Sequence, residues 1–142
     1  MKRKEFIKLA ASGAIGLSSI GYIACEKEKE LFFKLSLAQW SFHRAIRNGI
    51  MSPYTFAQNA KSLGFEGIEY VNALYDDVMK VDNKSDALKK FIKKNNELAM
   101  DNDIENVLIM IDSEGNLADE DSDARLISID NHKRWIETAA EM

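Results

Sequence analysis

"NVLIMIDSEGNLADEDSDAR", residues 106–125, joins the most apolar run beyond residue 25 to an abrupt change of chemistry. Residues 106–112 show no polar alternation, which predicts a β-strand covered on both faces. Asp112, Ser113 and Glu114 then stand at its exit. A strand driven into a core and released straight into acids suits a parallel sheet, where helices bury the strands and polar groups gather at their C-terminal ends.

The same alternation is read upstream. Residues 31–42, "LFFKLSLAQWSF", predict a first strand. Ser52 suits a helix N-cap and Pro53 its first turn, where a missing N–H costs nothing. Phe56, Ala60 and Leu63 follow at helical spacing, with Gly64 placed to end the helix in a left-handed conformation. Residues 65–72, bounded by Gly67 and Asn72, predict a second strand. The polar stretch 75–86 predicts a loop with Ser85 or Asp86 as the next cap. Leu88, Phe91, Ile92 and Ala99 then mark one face of an amphipathic helix with lysines opposite. A last helix starts near Ser122, with Ile127, Trp135, Ile136 and Ala139 on one side.

The order strand–helix three times over predicts α/β architecture with parallel strands and right-handed crossovers. It could begin an open doubly wound sheet or a closed barrel. Dinucleotide binding in a doubly wound sheet needs a glycine-rich turn after the first strand. Here that strand exits into "QWSFHRAIRNG", residues 39–49, and neither GxGxxG nor GxxxxGK[ST] occurs. Large polar and aromatic residues at the strand exit point to a barrel. A complete (β/α)8 barrel takes about 250 residues, and the chain has 142. Three strands cannot close, and the outer two would present unpaired edges. The expectation is a partial (β/α)8 TIM barrel of about three βα units, residues 31–142 forming its N-terminal part.

The first thirty residues have another character. "MKRKEFIK" is basic, residues 9–24 carry no charge and many small side chains, and "EKEKE" follows Cys25. A basic head and a short apolar middle before small residues describe an export signal over residues 1–24. The apolar stretch falls below the roughly 20 residues of a spanning helix. "RKEFIK" resembles a twin-arginine motif with Lys4 in place of the second arginine. "YIAC" resembles a lipoprotein cleavage box with Cys25 as the lipidated residue and Tyr22 where a leucine-like residue is usual. Cleavage near Ala24 with Cys25 incidental is the alternative. Residues 25–30 read as a charged tether.

A net charge of −4 argues against a phosphate-tracking nucleic-acid binder. With Cys25 as its one cysteine the chain has no internal disulfide and no cysteine-built zinc site. Candidate substrate-binding residues gather at the strand exits. Trp40 offers an apolar ring face there, with Gln39 and His43 beside it as polar groups. Glu69, late in the second strand, is costly to bury without a partner and would face a barrel lumen. Asp112 is the candidate pocket residue after the third strand, ahead of Glu114. The acids of residues 119–123 read as solvated loop and helix cap. His132, Lys133 and Arg134 read as surface, and Trp135 as core.

"SLAQWSFHRAI", "GFEGIEYVN" and the long stretch from Leu108 to Met142 together resemble exported members of the sugar phosphate isomerase/epimerase family, which are xylose-isomerase-like TIM barrels. The resemblance covers nearly all of the chain after the signal. It implies a sugar partner, met by Gln39, Trp40, His43, Glu69 and Asp112. The charge implies no nucleic acid, and the signal segment implies a periplasmic or envelope-anchored location with membrane contact only through the signal or a Cys25 lipid. The resemblance also implies a divalent metal (Mg, Mn or Zn) in the full-length family member. The family's metal ligands lie mostly from the fourth strand onward, so none is assigned to these residues. Two rival readings are a non-catalytic carbohydrate-binding lipoprotein and an endonuclease IV-like hydrolase. The second would want early strand-end histidines and a basic face that His43 and His132 do not supply.

Overall fold

A computed structural model of the chain describes residues 32–142. The export signal (1–24), Cys25 and the tether (25–30) lie outside the described residues. Strand β1 (Ser36–Ala38) is only three residues long, because the chain closes into a 3-10 turn at Gln39–Phe42 and runs on into α1 (His43–Arg47). The longer strand expected over 31–42 is therefore corrected, and α1 is a helix that the sequence reading left out. Ser52 caps as expected, its Oγ accepting the Tyr54 N–H at 3.3 Å. Pro53–Thr55 forms a 3-10 entry to α2 (Phe56–Ser62), and Gly64 ends the helix at φ +87°.

Strand β2 (Gly67–Val71) leaves through a 3-10 turn at Asn72–Leu74 into a short α3 (Asp76–Met79). The expected loop over 75–86 thus contains a helical turn, and its Val78 is buried in the core. Helix α4 (Lys84–Asp101) is capped by Asn83 rather than by Ser85 or Asp86. Asn83 accepts the Asp86 N–H at 3.2 Å, and its side-chain amide donates to the Asp86 carboxylate at 2.8 Å. After β3 (Glu105–Met110), α5 (Ser122–Ala140) starts on Asp121, whose side chain accepts the N–H groups of Asp123 and Ala124 at 2.9 and 2.8 Å. Capping accounts for one of the acids of residues 119–123.

The three strands form one sheet in the order β1-β2-β3, every pair parallel. Sequential order with right-handed crossovers puts each connecting helix on the same side, and the rings show it. Tyr70 meets Phe56 of α2 and Phe91 of α4 edge-on at 6.3 and 6.1 Å. Phe91 in turn meets Trp135 of α5 at 5.6 Å. Ile68, Tyr70, Phe56, Phe91 and Trp135 are buried in one core cluster, confirming Trp135 as core.

The opposite face carries Ser36, Ala38, Gly67, Glu69 and Val71, with Leu108 level with Glu69, Met110 level with Val71 and Val107 bulged beside them. Gly67 is required there: a Cβ on it would come within 2.7 Å of Val107 Cγ2 and 3.2 Å of Ser36 Cβ. On this face Val71 is buried, while Val107, Leu108 and Met110 are 52, 44 and 42% exposed. The expectation that residues 106–112 are covered on both faces is overturned. The run is apolar on both sides, yet among the described residues β3 lies at the sheet edge and one of its faces is partly exposed. Helix α5 differs similarly. Ser128, Trp135 and Thr138 are its buried residues, while Ile127 and Ile136 are exposed, as is Leu63 after α2.

Candidate functional site

Parallel strands deliver all their C-terminal ends to one edge of the sheet, so the exits of β1, β2 and β3 lie side by side there. Two of those exits are closed by carboxamides. Gln39 is fully buried. Its Oε1 accepts the Val71 N–H at 3.0 Å, and its Nε2 donates to Tyr75 Oη at 2.9 Å and to the Pro53 carbonyl at 3.2 Å. Asn72 is equally buried. Its Oδ1 accepts the Asp112 N–H at 2.7 Å and its Nδ2 donates to the Asp112 carbonyl at 3.0 Å. Gln39, read from the sequence as a sugar contact, thus has both ends of its amide engaged by protein.

Beside Gln39 the chain builds an aromatic and cationic stack. The Trp40 and His43 rings lie parallel, 4.4 Å apart at 7°. His43 Nδ1 is 2.6 Å from the Trp40 carbonyl, and the Arg47 guanidinium sits 5.0 Å from the Trp40 ring centroid. The three-residue spacing that begins in the 3-10 turn brings His43 under Trp40, and the following helical turn brings Arg47. Trp40 keeps part of its surface in solvent.

Glu69 lies in the middle of β2 on the uncovered face, half-buried, and accepts the Ser36 hydroxyl from β1. Asp112 lies two residues past the end of β3. Glu69 is level with Leu108, so Asp112 stands roughly 13 Å further along the strand direction at 3.3 Å per residue. The structure brings Asp112 to Asn72 and Glu69 to Ser36, and no hydrogen bond among the described residues joins the two carboxylates. Glu114 turns away from the strand exits. It is buried, accepts the Trp135 Nε1–H at 2.7 Å and lies 3.9 Å from Lys84 Nζ, which ties the loop after β3 to α5. Gly115 presses on the same helix, where a Cβ would fall 2.2 Å from Ser128 Oγ.

Three phenols near the exits are held neutral. Burial pushes Tyr75 well above its ordinary value, and burial pushes Tyr70 up as well. Burial also raises Tyr54, with the Asp77 carboxylate that accepts its hydroxyl at 2.6 Å adding to the effect. Lys94 Nζ sits 3.4 Å from the centroid of the Tyr54 ring, a cation–π contact.

No three His, Cys, Asp or Glu side chains gather closely enough to hold a metal ion among the described residues. These residues alone do not fit the divalent metal that the family resemblance implies. A groove of about 630 Å³ runs between the start of α4 and the end of α5, lined by Lys84, Leu88, Arg134 and Glu137 among others. No strand-exit residue lines it. Asn72, Ser36 and Arg47 are site neighbours the sequence reading missed. For Asn72 a signal existed, a carboxamide directly after an apolar strand, repeated from Gln39.

No protein-family model matches the chain, and no curated protein matches it.

Proposed function

We propose that the chain is the N-terminal arc of an exported (β/α)8 barrel of the sugar phosphate isomerase/epimerase type, meeting a sugar at its strand ends. The observation that carries the reading is the sheet itself, parallel in strict chain order with its helices on one face. One half of a doubly wound sheet shares this arrangement, and the lack of a glycine-rich turn after β1 favours the barrel, whose inward side would be the face opposite the helices. Glu69 lies on that inward face, and Trp40, His43 and Asp112 stand at the rim. In this reading Trp40 and His43 take the sugar ring edge, and Glu69 and Asp112 bind its hydroxyls. Isomerisation or epimerisation removes a proton beside a carbonyl, work suited to a carboxylate in hydrogen-bond reach. No step is assigned to a metal through these residues. Export through residues 1–24, with Cys25 as the lipid-bearing residue, places the protein in the periplasm or at the envelope surface.

The test is amide and indole chemical-shift mapping of the full chain against aldoses, ketoses and their phosphates. Shifts should centre on the Trp40 indole N–H and the amides of Glu69 and Asp112. Shifts confined to the α4/α5 groove, or none at millimolar sugar, would overturn the reading. Binding without turnover by a metal-loaded form that carries further βα units would favour the non-catalytic carbohydrate-binding lipoprotein.

A further inference from the structure

The two carboxamides occupy the same place in the ladder. Ala38 pairs with Glu69 and Val71 with Met110. One step further, Gln39 is level with Tyr70 and Asn72 with Ile111. Each side-chain oxygen accepts the N–H one residue beyond its level partner, Val71 for Gln39 and Asp112 for Asn72, at 3.0 and 2.7 Å. That N–H is the donor a main-chain carbonyl would take if the strand continued. Each carboxamide residue is also the first residue of a 3-10 turn, Gln39–Phe42 and Asn72–Leu74. The main chain therefore turns away one rung early while the side chain completes the rung.

We propose that Gln39 and Asn72 are rim-positioning residues: carboxamide rungs that release one strand into its turn and fix the exit of the next. Asn72 goes further than Gln39, because it bonds both the N–H and the carbonyl of Asp112. It sets the backbone of Asp112 and so the direction of a carboxylate that no hydrogen bond or ion pair among the described residues engages. The claim holds whether or not the ligand is a sugar. Loss of the sugar reading leaves the rungs in place, and loss of the rungs leaves the sugar to be tested separately.

The full chain, isotope-labelled, supplies the test. In the unaltered protein, through-hydrogen-bond scalar coupling should link the Asp112 amide nitrogen to the Asn72 side-chain carbonyl carbon, and the Val71 nitrogen to that of Gln39. Asn72→Leu should speed amide exchange at Asp112 on the order of tenfold while Tyr70, in the strand centre, is unchanged. A purely space-filling Asn72 predicts no coupling and equal acceleration at Asp112 and Tyr70; that pattern would overturn the proposal. If Asn72→Leu fails to fold, the couplings in the unaltered protein decide, and their absence refutes the rungs.

Discussion

The two faces of β3 are both largely apolar, yet the two faces of the sheet have different fates. On one, Ile68 and Tyr70 are sealed under Phe56, Phe91 and Trp135 from three helices. On the other, Leu108 and Met110 stand in solvent beside Glu69. Burial of a large apolar side chain contributes about 1.5–3 kcal/mol, so the first face holds the fold together and the second contributes little to it. The second face is instead an apolar surface with one carboxylate and an open strand edge, the kind of surface that marks an interaction site or an aggregation liability.

The largest effect should follow from emptying the covered face. Phe91→Ala removes the ring that joins Tyr70, Tyr75 and Trp135 and should cost about 3–5 kcal/mol in denaturant unfolding. Alkali attacks the same face. Tyr54, Tyr70 and Tyr75 have folded pKa values raised above the ordinary 10. Below pH 10 both folded and unfolded forms hold the protons. Above it the unfolded chain loses them first, so stability should fall as pH rises past 10. Phenolate absorbance of Tyr70 and Tyr75 should therefore appear together with unfolding; titration of either in the folded chain would contradict the packing.

The loop after β3 tests how the covered face reaches the rim. Glu114→Leu strands the Trp135 indole N–H and should cost about 1–3 kcal/mol, while Glu114→Gln keeps an acceptor and should cost less. The smallest effect belongs to the bare face. Leu108→Ser should change stability by about 0.5 kcal/mol or less and should reduce self-association in light scattering. A loss as large as that of Phe91→Ala would erase the difference between the faces.

Much of the covered face was legible in the sequence. Phe91, Ala99 and Trp135 recur at helical spacing, and Ser52, Pro53 and Gly64 punctuate as local chemistry demands. Residues 106–112 misled, because an unbroken apolar run reports that both faces can be covered, while what packs on each face decides whether they are. Ile127 and Ile136 misled on α5 in the same way. At the site, the strand-exit location of Trp40, His43 and Asp112 could be read from strand order alone. The fate of Gln39 could not. A glutamine after a strand serves a ligand or a rung equally well on sequence, and only the register of Val71 distinguishes them. Asn83 took the cap from Ser85 because its amide also reaches the Asp86 side chain, a contact that sequence spacing leaves ambiguous.

The most direct test of a one-sided sheet is the response of methyl groups in the intact chain to a soluble paramagnetic probe. The methyls of Val107, Leu108 and Met110 should broaden as strongly as that of exposed Ile127, while Ile68 and Val78 stay sharp. Protection of Leu108 and Met110 equal to that of Ile68 would mean both faces are covered and would contradict the one-sided sheet.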